Sequence, residues 1–295
     1  MRTNKNKEDI MHTAQSLVKD SIELISLPDV YVRLRSVIMS PHSSMSDIAQ
    51  IIVHDPAITA RLLKLVNSPF YGLASKVDTM THAVNLLGID QVHDLVLATV
   101  VVDSFSGFTN DSFNIYDFWF NGVYCAVTAR LLAYHCDDLD TERPFIAGLL
   151  HKIGHLVMYQ KMPEASLSAV ALAAQQNIDL YMAEREVLGF DYAQVGAELM
   201  REWTLPESLR GITEFHVEPE KAVEYKLETA IIHMATAITN NALAQIPVSP
   251  ETLAINPLCW EITGLAINDM SDLKKEVDQQ ASMVMNMLFT HKKSA

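Results

Sequence analysis

The residues best suited to chemistry lie in the segment Gly148-Leu149-Leu150-His151-Lys152-Ile153-Gly154-His155. His151 and His155 are four residues apart, so a continuous helix would place both imidazoles on one face, with the spacing of an HxxxH zinc pair. The pair lacks the glutamate that zinc proteases carry beside the first histidine. The sequence therefore favours a structural role, with His151 hydrogen-bonded inside a helical bundle and His155 covering its edge. Zinc binding by the pair is the alternative.

The sequence contains none of the common signatures of nucleophilic catalysis or phosphate-binding loops. It has no G-x-S-x-G elbow, no P-loop and no G-x-G-x-x-G after a strand pattern. The three cysteines, Cys125, Cys136 and Cys259, are odd in number and lie in apolar surroundings, which is typical of buried thiols in a reducing compartment. We therefore expect a cytoplasmic protein in which Cys125 is an inert core thiol.

The charge balance argues against two classes of partner. With 22 Lys and Arg against 36 Asp and Glu, the chain carries a net charge of −14, which repels both nucleic acid and anionic membrane surfaces. The longest notable apolar run, Leu95–Val102, is far shorter than a membrane span. The polar N-terminus also lacks the apolar stretch of a signal peptide. We expect neither a nucleic-acid nor a membrane partner.

The elements that must position these histidines are helices. Apolar residues recur at helical spacing along most of the chain, whereas only 10 glycines and 11 prolines are present. Asp55-Pro56 predicts a helix start, because Asp caps the free amides while Pro occupies the first helical position. The predicted fold is an all-α, multi-helix bundle. The later helices are predicted over 116–134, 145–159, 164–176, 180–187, 192–203, 206–215, 223–243 and 272–289.

The histidine segment is one of several ordered blocks between about residues 20 and 240. The others are Leu27-Pro28, Asp55-Pro56-Ala57, Leu62–Ser68, Ala83–Gly88, Glu184–Tyr192, Val195–Leu199, Trp203–Pro206, Phe215-His216 and Ile231–Thr236. In this order the blocks resemble the HDOD family, the HD-related output domain of bacterial signalling proteins. The resemblance implies an all-α fold related to the HD-domain metal-dependent phosphohydrolases.

The resemblance also implies an organisation in three parts. Residues 1–110 would form an N-terminal helical subdomain, and residues 111–245 a degenerate HD-like bundle. Residues 246–295 would form a C-terminal extension with a terminal helix. The boundary is predicted within 104–111, where helical periodicity is lost.

The same resemblance identifies six positions of a degenerate HD pocket: Asn121, His151, Lys152, Tyr192, His216 and Thr236. HD hydrolases hold metal ions with His and Asp side chains, and a metal-bound hydroxide attacks a phosphoester. Only two of the six positions keep an imidazole, and the expected Asp of the His-Asp doublet is Lys152. A protonated Lys cannot ligate a metal and repels it. The expectation is therefore no catalytic residue, no metal and no cofactor.

Two interpretations of Lys152 follow from the sequence. Its ammonium could fill the vacated metal space and pair with an acid such as Glu186 or Asp191. Alternatively, the side chain could lie on an exposed face of the helix.

The resemblance implies a cytoplasmic, stand-alone signal-transduction module that acts through protein contact or ligand binding. Without a sensor, kinase or DNA-binding domain of its own, it would act on a signalling protein in trans. The alternative is a metal-dependent phosphohydrolase acting on a nucleotide or other phosphoester. That enzyme would hold Fe, Mn or Zn with His151 and His216 and recruit further ligands from His155, Glu184, Glu186 or Asp191. A third possibility is an anionic or nucleotide ligand, bound through donors from His151, Lys152 and Asn121.

Overall fold

The computed structural model describes residues 13–21, 26–105, 107–108, 113–136, 140–247, 249, 251–267 and 273–289. Within these ranges the chain forms sixteen α-helices, one 3₁₀ helix (Pro219–Lys221) and no β-strand, so the all-α prediction is confirmed. The first eight helices are α1 (Ala14–Lys19), α2 (Asp29–Ile38), α3 (Met45–Val53), α4 (Pro56–Val66), α5 (Met80–Leu87), α6 (Ile89–Ser104), α7 (Ile115–Tyr134) and α8 (Glu142–Leu150). The other eight are α9 (Gly154–Lys161), α10 (Pro163–Gln176), α11 (Leu180–Leu188), α12 (Tyr192–Glu202), α13 (Glu207–Phe215), α14 (Lys226–Leu243), α15 (Pro257–Thr263) and α16 (Leu273–Leu288).

Local sequence signals set several of the helix starts. The Asp55 side chain accepts the amides of Ala57 and Ile58, each at 3.0 Å, and Pro56 is the first residue of α4, as the Asp-Pro pair predicts. Asp191 caps α12 in the same way by accepting the amide of Gln194. These caps satisfy amides that have no partner inside the helix.

Helix α7 lies at the centre of residues 111–245, the predicted HD-like bundle. It packs against α8, α14 and α16, and buried side chains on all of its faces are typical of a core helix. Its crossing with α8 is close, because a Cβ added at Gly148 would lie 2.7 Å from the Cα of Ala126. Small residues at this crossing bring the Asn121 and His151 regions near each other.

The predicted continuous helix over 145–159 is wrong. Helix α8 ends at Leu150, a turn covers 151–153, and α9 begins at Gly154. Gly154 explains the change of direction, because a Cβ there would lie 2.0 Å from the Tyr192 carbonyl oxygen. Only glycine lets α9 approach α12 this closely. His151 and His155 therefore belong to different elements and do not form an HxxxH pair on one helix face.

Helices from all three predicted parts pack together. Helix α6 contacts α8, α1 contacts α12, and α16 contacts both α4 and α7. The predicted boundary at 104–111 lies partly outside the described residues, because 106 and 109–111 are not described. The division into three parts stays a prediction.

No single helix among the described residues has the length and apolar character needed to cross a membrane. Two consecutive helices, α5 and α6, pass that test only when taken together, and they are bent by 120° at the break between them.

Candidate functional site

Two buried histidines form the core of the site. His151, in the turn between α8 and α9, and His216, which follows α13, are 0% and 1% exposed. Their rings meet edge to face, with centroids 5.1 Å apart. In each histidine Nδ1 donates to a backbone carbonyl three residues earlier, that of Gly148 or Thr213, at 2.7 Å. Because a carbonyl only accepts, both neutral rings keep their lone pair on Nε2.

The two Nε2 atoms differ in what they contact. His216 Nε2 accepts the Tyr192 hydroxyl at 3.0 Å, whereas the buried His151 Nε2 has no hydrogen-bond partner among the described residues. Burial lowers the pKa of His216 to about 3. Burial also lowers the pKa of His151 well below its ordinary value, and the neighbouring His216 and Lys152 lower it further. Both rings are therefore neutral at physiological pH.

His155 belongs to a separate buried pair. Its Nε2 lies 2.8 Å from Oε1 of Glu184, and Oε2 of Glu184 accepts the backbone amide of Tyr192 at 2.9 Å. The imidazole stacks on the Tyr192 ring, with centroids 4.1 Å apart. Glu184 is 2% exposed, and its two oxygens bind His155 and the first amide of α12. This carboxylate therefore holds the start of α12 in place.

Lys152 reaches into the site and pairs with amides instead of acids. Its Nζ donates to Asn121 Oδ1 at 3.1 Å and to Asn240 Oδ1 at 3.2 Å, and burial lowers its pKa below the ordinary value. The predicted acid partners are wrong: Asp191 accepts Arg185 Nε at 2.6 Å, and Glu186 is exposed. The alternative, an exposed face, is also wrong, because Lys152 is half-buried and joins α7 to α14.

Thr236 completes the set of six predicted positions. Its hydroxyl donates to the Ile232 carbonyl at 2.7 Å and lies 3.8 Å from the Cys125 sulfur. Burial raises the pKa of the Cys125 thiol to about 11, so the thiolate is not populated near neutral pH. The structure thus shows the buried thiol that the sequence predicts at Cys125.

A cavity of about 390 Å³ opens beside these residues. Four of the six predicted positions line it: Lys152, Tyr192, His216 and Thr236. Asn121 and His151 do not line it; Asn121 bonds to Lys152, and the His151 ring contacts the His216 ring. The remaining lining residues are His155, Asp179, Leu180, Tyr181, Val217, His233, Ala237, Asn240, Asn241 and Ala254.

Apart from Thr236, the cavity-lining residues of α14 were not predicted from the sequence. His233, Thr236, Ala237, Asn240 and Asn241 all line the cavity, and their spacing is that of one helix face. Polar residues on one stripe of an otherwise apolar helix are the signal that would have found Asn240. His233 also fixes the cavity wall, because its Nδ1 donates to the His216 carbonyl at 2.8 Å and its Nε2 accepts the Asn256 amide at 3.0 Å.

The residues present do not fit a divalent metal. Among the described residues, no three His, Cys, Asp or Glu side chains are grouped so that they could hold one. The His216 lone pair already accepts the Tyr192 hydroxyl, and the Lys152 ammonium lies next to His151 in the chain. Metal centres of hydrolases need three or more protein ligands of the right type, and of the two core histidines only His151 has an Nε2 without a partner among the described residues.

The chain matches the model of the HDOD domain over residues 24–219. It belongs to the HDOD family. The match covers five of the six predicted pocket positions of this HDOD chain and not Thr236; the four other α14 residues that line the cavity, His233, Ala237, Asn240 and Asn241, also lie beyond residue 219 and were not predicted.

Known proteins similar to this HDOD chain carry different descriptions. A candidate phosphohydrolase from Shewanella amazonensis SB2B is 27% identical, with a TM-score of 0.71 over 94% of this chain and 98% of its own. A candidate signal transduction protein from Marinobacter aquaeolei VT8 shares the fold at 22% identity, with a TM-score of 0.66 over 92% of this chain and 60% of its own. An uncharacterized protein of Treponema pallidum (strain Nichols) is 25% identical over 214 residues, which are 72% of this chain but span only 41% of that relative.

Proposed function

We propose that this HDOD protein is a non-catalytic signalling module that regulates a partner protein in trans. The observation that carries the proposal is the Lys152 ammonium, which bonds to two amide oxygens at the position where the family resemblance expects a metal-binding carboxylate. A divalent ion at that position would meet a cation instead of an anion, and Coulomb repulsion opposes binding. On this proposal the pocket is an HD-type site that has lost its hydrolytic ligands.

The cavity is the part of the module through which a signal would enter. A volume of about 390 Å³ suits a small molecule, and the Lys152 ammonium has one N–H beyond the two bonded to the amides. That donor favours a ligand with a carboxylate or phosphate group, including a nucleotide. Of the three donors expected from sequence, only Lys152 lines the cavity, and the Nδ1–H of His151 already donates to the Gly148 carbonyl.

The alternative function is a metal-dependent phosphohydrolase. The similarity to the Shewanella protein described as a candidate phosphohydrolase and the unpartnered lone pair of His151 favour it. Its remaining ligands would have to be recruited from groups with other partners, since His155 and Glu184 bind each other and Asp191 binds Arg185.

Measurements of metal content and phosphoesterase activity distinguish the signalling module from the phosphohydrolase. Untagged protein purified without chelator is analysed by inductively coupled plasma mass spectrometry. It is then assayed on bis-p-nitrophenyl phosphate and cyclic dinucleotides with added Mn²⁺, Fe²⁺ or Zn²⁺. We expect far less than one ion per chain and the same background rate for wild type and His151→Ala. One tightly bound ion per chain, with hydrolysis that His151→Ala abolishes, would establish the enzyme and refute the proposal.

Ligand binding in the cavity is tested separately by melting temperature. A panel of phosphorylated compounds and cyclic dinucleotides is screened, because a ligand that binds only the native state raises the melting temperature. We expect at least one compound to raise it for wild type and for Lys226→Met, and not for Lys152→Met. Lys226 is an exposed lysine at the start of α14, so its replacement controls for the loss of one positive charge.

A further inference from the structure

A second cavity, distinct from the HD-like pocket, lies where the N-terminal helices meet the rest of the chain. Its volume is about 510 Å³, within the range of small-molecule sites. Its walls come from α2, α6 and α8 and from the segment that leads into α13. A ligand in this cavity would touch both the N-terminal helices and the HD-like bundle.

Arg35 on α2 supplies a positive charge to this cavity. Its Nη1 donates to the Trp203 carbonyl at 3.2 Å, and within the described residues no carboxylate lies at ion-pair distance from it. The guanidinium therefore keeps donors that have no acidic partner, in a protein whose net charge is −14. Arg143, on the α8 wall, has only a 3.4 Å contact with Glu228. Two guanidinium groups thus line a cavity in which one lacks an acid and the other is weakly paired.

The N-terminus of α13 adds neutral donors to the same cavity. Pro206 precedes the helix, and no side chain caps its first turn. Ser208, in that turn, lines the cavity and is 9% exposed, and its hydroxyl makes no hydrogen bond to another described residue. Free amides and the positive end of the helix dipole favour an anion at this position.

The acidic groups of the cavity are placed so that they leave these donors available. Asp94 accepts His93 Nδ1 at 3.0 Å, and His93 Nε2 accepts the hydroxyl of Tyr31. Asp90 is exposed to solvent. Neither carboxylate forms an ion pair with Arg35 or Arg143 in the structure.

We propose that this cavity is an anion-binding site for a small phosphate ester, whose phosphate group is bound by Arg35 and the first turn of α13. A guanidinium binds phosphate through two parallel hydrogen bonds, and the helix N-terminus supplies the remaining donors. Arg143, which also lines the cavity, contacts the rest of the ligand. Because Arg35 belongs to α2 and Ser208 to α13, the bound ester links the N-terminal helices to the HD-like bundle.

The test uses inorganic phosphate as the probe and the full chain as the protein. Amide resonances of Ser208 and Leu209 are followed by nuclear magnetic resonance during a phosphate titration, with chloride at matched ionic strength as the reference. We expect saturable shifts of both amides. Arg35→Met should weaken the apparent affinity about tenfold, in keeping with the loss of a bidentate contact. Arg33→Met should change it less than about twofold, because Arg33 is an exposed arginine on the same helix.

Two further variants keep the outcome unambiguous. Ser208→Asp places a negative charge in the first turn of α13, where it favours the helix but competes with phosphate, so the variant should stay folded and bind phosphate more weakly. Lys152→Met should leave the Ser208 and Leu209 shifts unchanged. Shifts that do not saturate, that survive Arg35→Met, or that Lys152→Met abolishes would each overturn the proposal.

Discussion

The hydroxyl of Tyr192 has a specific function in the buried site. It donates to the lone pair of His216 at 3.0 Å, so the imidazole that a metal would otherwise use has a protein partner. Burial raises the pKa of Tyr192 well above its ordinary value, and the carboxylate of Glu184 raises it further. The hydroxyl therefore stays protonated near neutral pH and remains a donor to His216.

Removing that hydroxyl should destabilise the protein measurably. Tyr192→Phe leaves His216 Nε2 buried without a donor, and an unsatisfied buried acceptor costs about 1–3 kcal/mol. Urea unfolding at pH 7 measures the change. Tyr116→Phe is the control, since Tyr116 is 56% exposed, and it should cost less than about 0.5 kcal/mol. Equal stability of the two variants would contradict the hydrogen bond.

The buried histidines predict how stability depends on pH. Burial depresses the pKa of His216 to about 3 in the folded state, whereas the unfolded value is about 6.5. Below pH 6.5 the unfolded chain therefore binds the additional proton, and the free energy of unfolding falls as the pH drops from 6.5 towards 3. The slope contributed by this one histidine is at most about 1.4 kcal/mol per pH unit.

His216→Gln isolates this contribution. The variant lacks the titrating group, so its stability should fall less steeply with decreasing pH than that of wild type. Between pH 6.5 and 4.5 wild type should therefore lose more unfolding free energy than the variant does. Carboxylates elsewhere titrate equally in both proteins and cancel. Parallel curves from urea unfolding would show that His216 titrates normally.

At the scale of elements, the crossing of α9 and α12 depends on one glycine. A Cβ at Gly154 would lie 2.0 Å from the Tyr192 carbonyl oxygen and 2.6 Å from the Gly196 amide nitrogen. Both are backbone atoms, so no side-chain rotation relieves the overlap. The close approach sets the positions of His155 and Tyr192, which stack across it.

Gly154→Ala should therefore separate two helices. We expect the free energy of unfolding, measured with urea, to fall by about 3 kcal/mol or more, which is the range of severe overpacking. Gly107→Ala provides the control, because nothing lies within 4 Å of a Cβ built there and its effect should be below about 1 kcal/mol. A Gly154→Ala variant as stable as wild type would mean that α9 and α12 can move apart without cost.

The elements show which parts of the fold are readable from sequence. Caps such as Asp55-Pro56 act within four residues, so the start of α4 follows from its own sequence. The break at 151–153 has no comparable local signal, since its cause is the distant backbone of α12 against Gly154. Apolar periodicity continues across the turn, and the pattern therefore predicted one helix where there are two.

In the candidate site, too, some features could be predicted from the sequence and others depend on distant packing. The family resemblance predicted six pocket positions, four of which line the cavity, and the presence of Lys152 where an acid was expected. It did not identify the partners of Lys152, because Asn121 and Asn240 are 119 residues apart in the chain and meet only through the packing of α7 on α14. Amide partners on distant helices carry no motif, and the acids expected from the sequence, Glu186 and Asp191, do not pair with Lys152.

At the scale of the whole molecule, a buried polar network joins the turn between α4 and α5 to α7 and α8. Tyr71, between α4 and α5, donates to Glu142 Oε2 at 2.9 Å. Arg130 lies 3.6 Å from Glu142, donates to the Phe70 carbonyl at 3.1 Å, and stacks over the Phe70 ring at 3.9 Å. Burial raises the pKa of Glu142, which Arg130 and Tyr71 oppose. The network fastens the 68–72 turn to α7 and α8.

A double-mutant cycle measures that connection. Arg130→Met leaves Glu142 buried without its cation and should cost about 3–5 kcal/mol. Adding Glu142→Gln removes the stranded charge, so the double variant should be less destabilised than the sum of the two single variants by more than about 1 kcal/mol. Urea unfolding provides all four values. Lys274→Met, which breaks the exposed pair with Asp278, should cost less than about 1 kcal/mol. Additive effects at 130 and 142 would show that the two side chains are not coupled.

The position of α14 bears on how relatives of this protein could diverge. The family match ends at residue 219, but Thr236, Asn240 and Asn241 form one wall of the pocket. A fragment trimmed to the matched region would therefore lack that wall and would be a misleading reagent for ligand screening. These residues lie on the accessible face of α14, and the residues on its opposite face are buried in the core. Exchanging residues along the accessible face would retune the pocket for a new chemical signal while the rest of the scaffold stayed as it is.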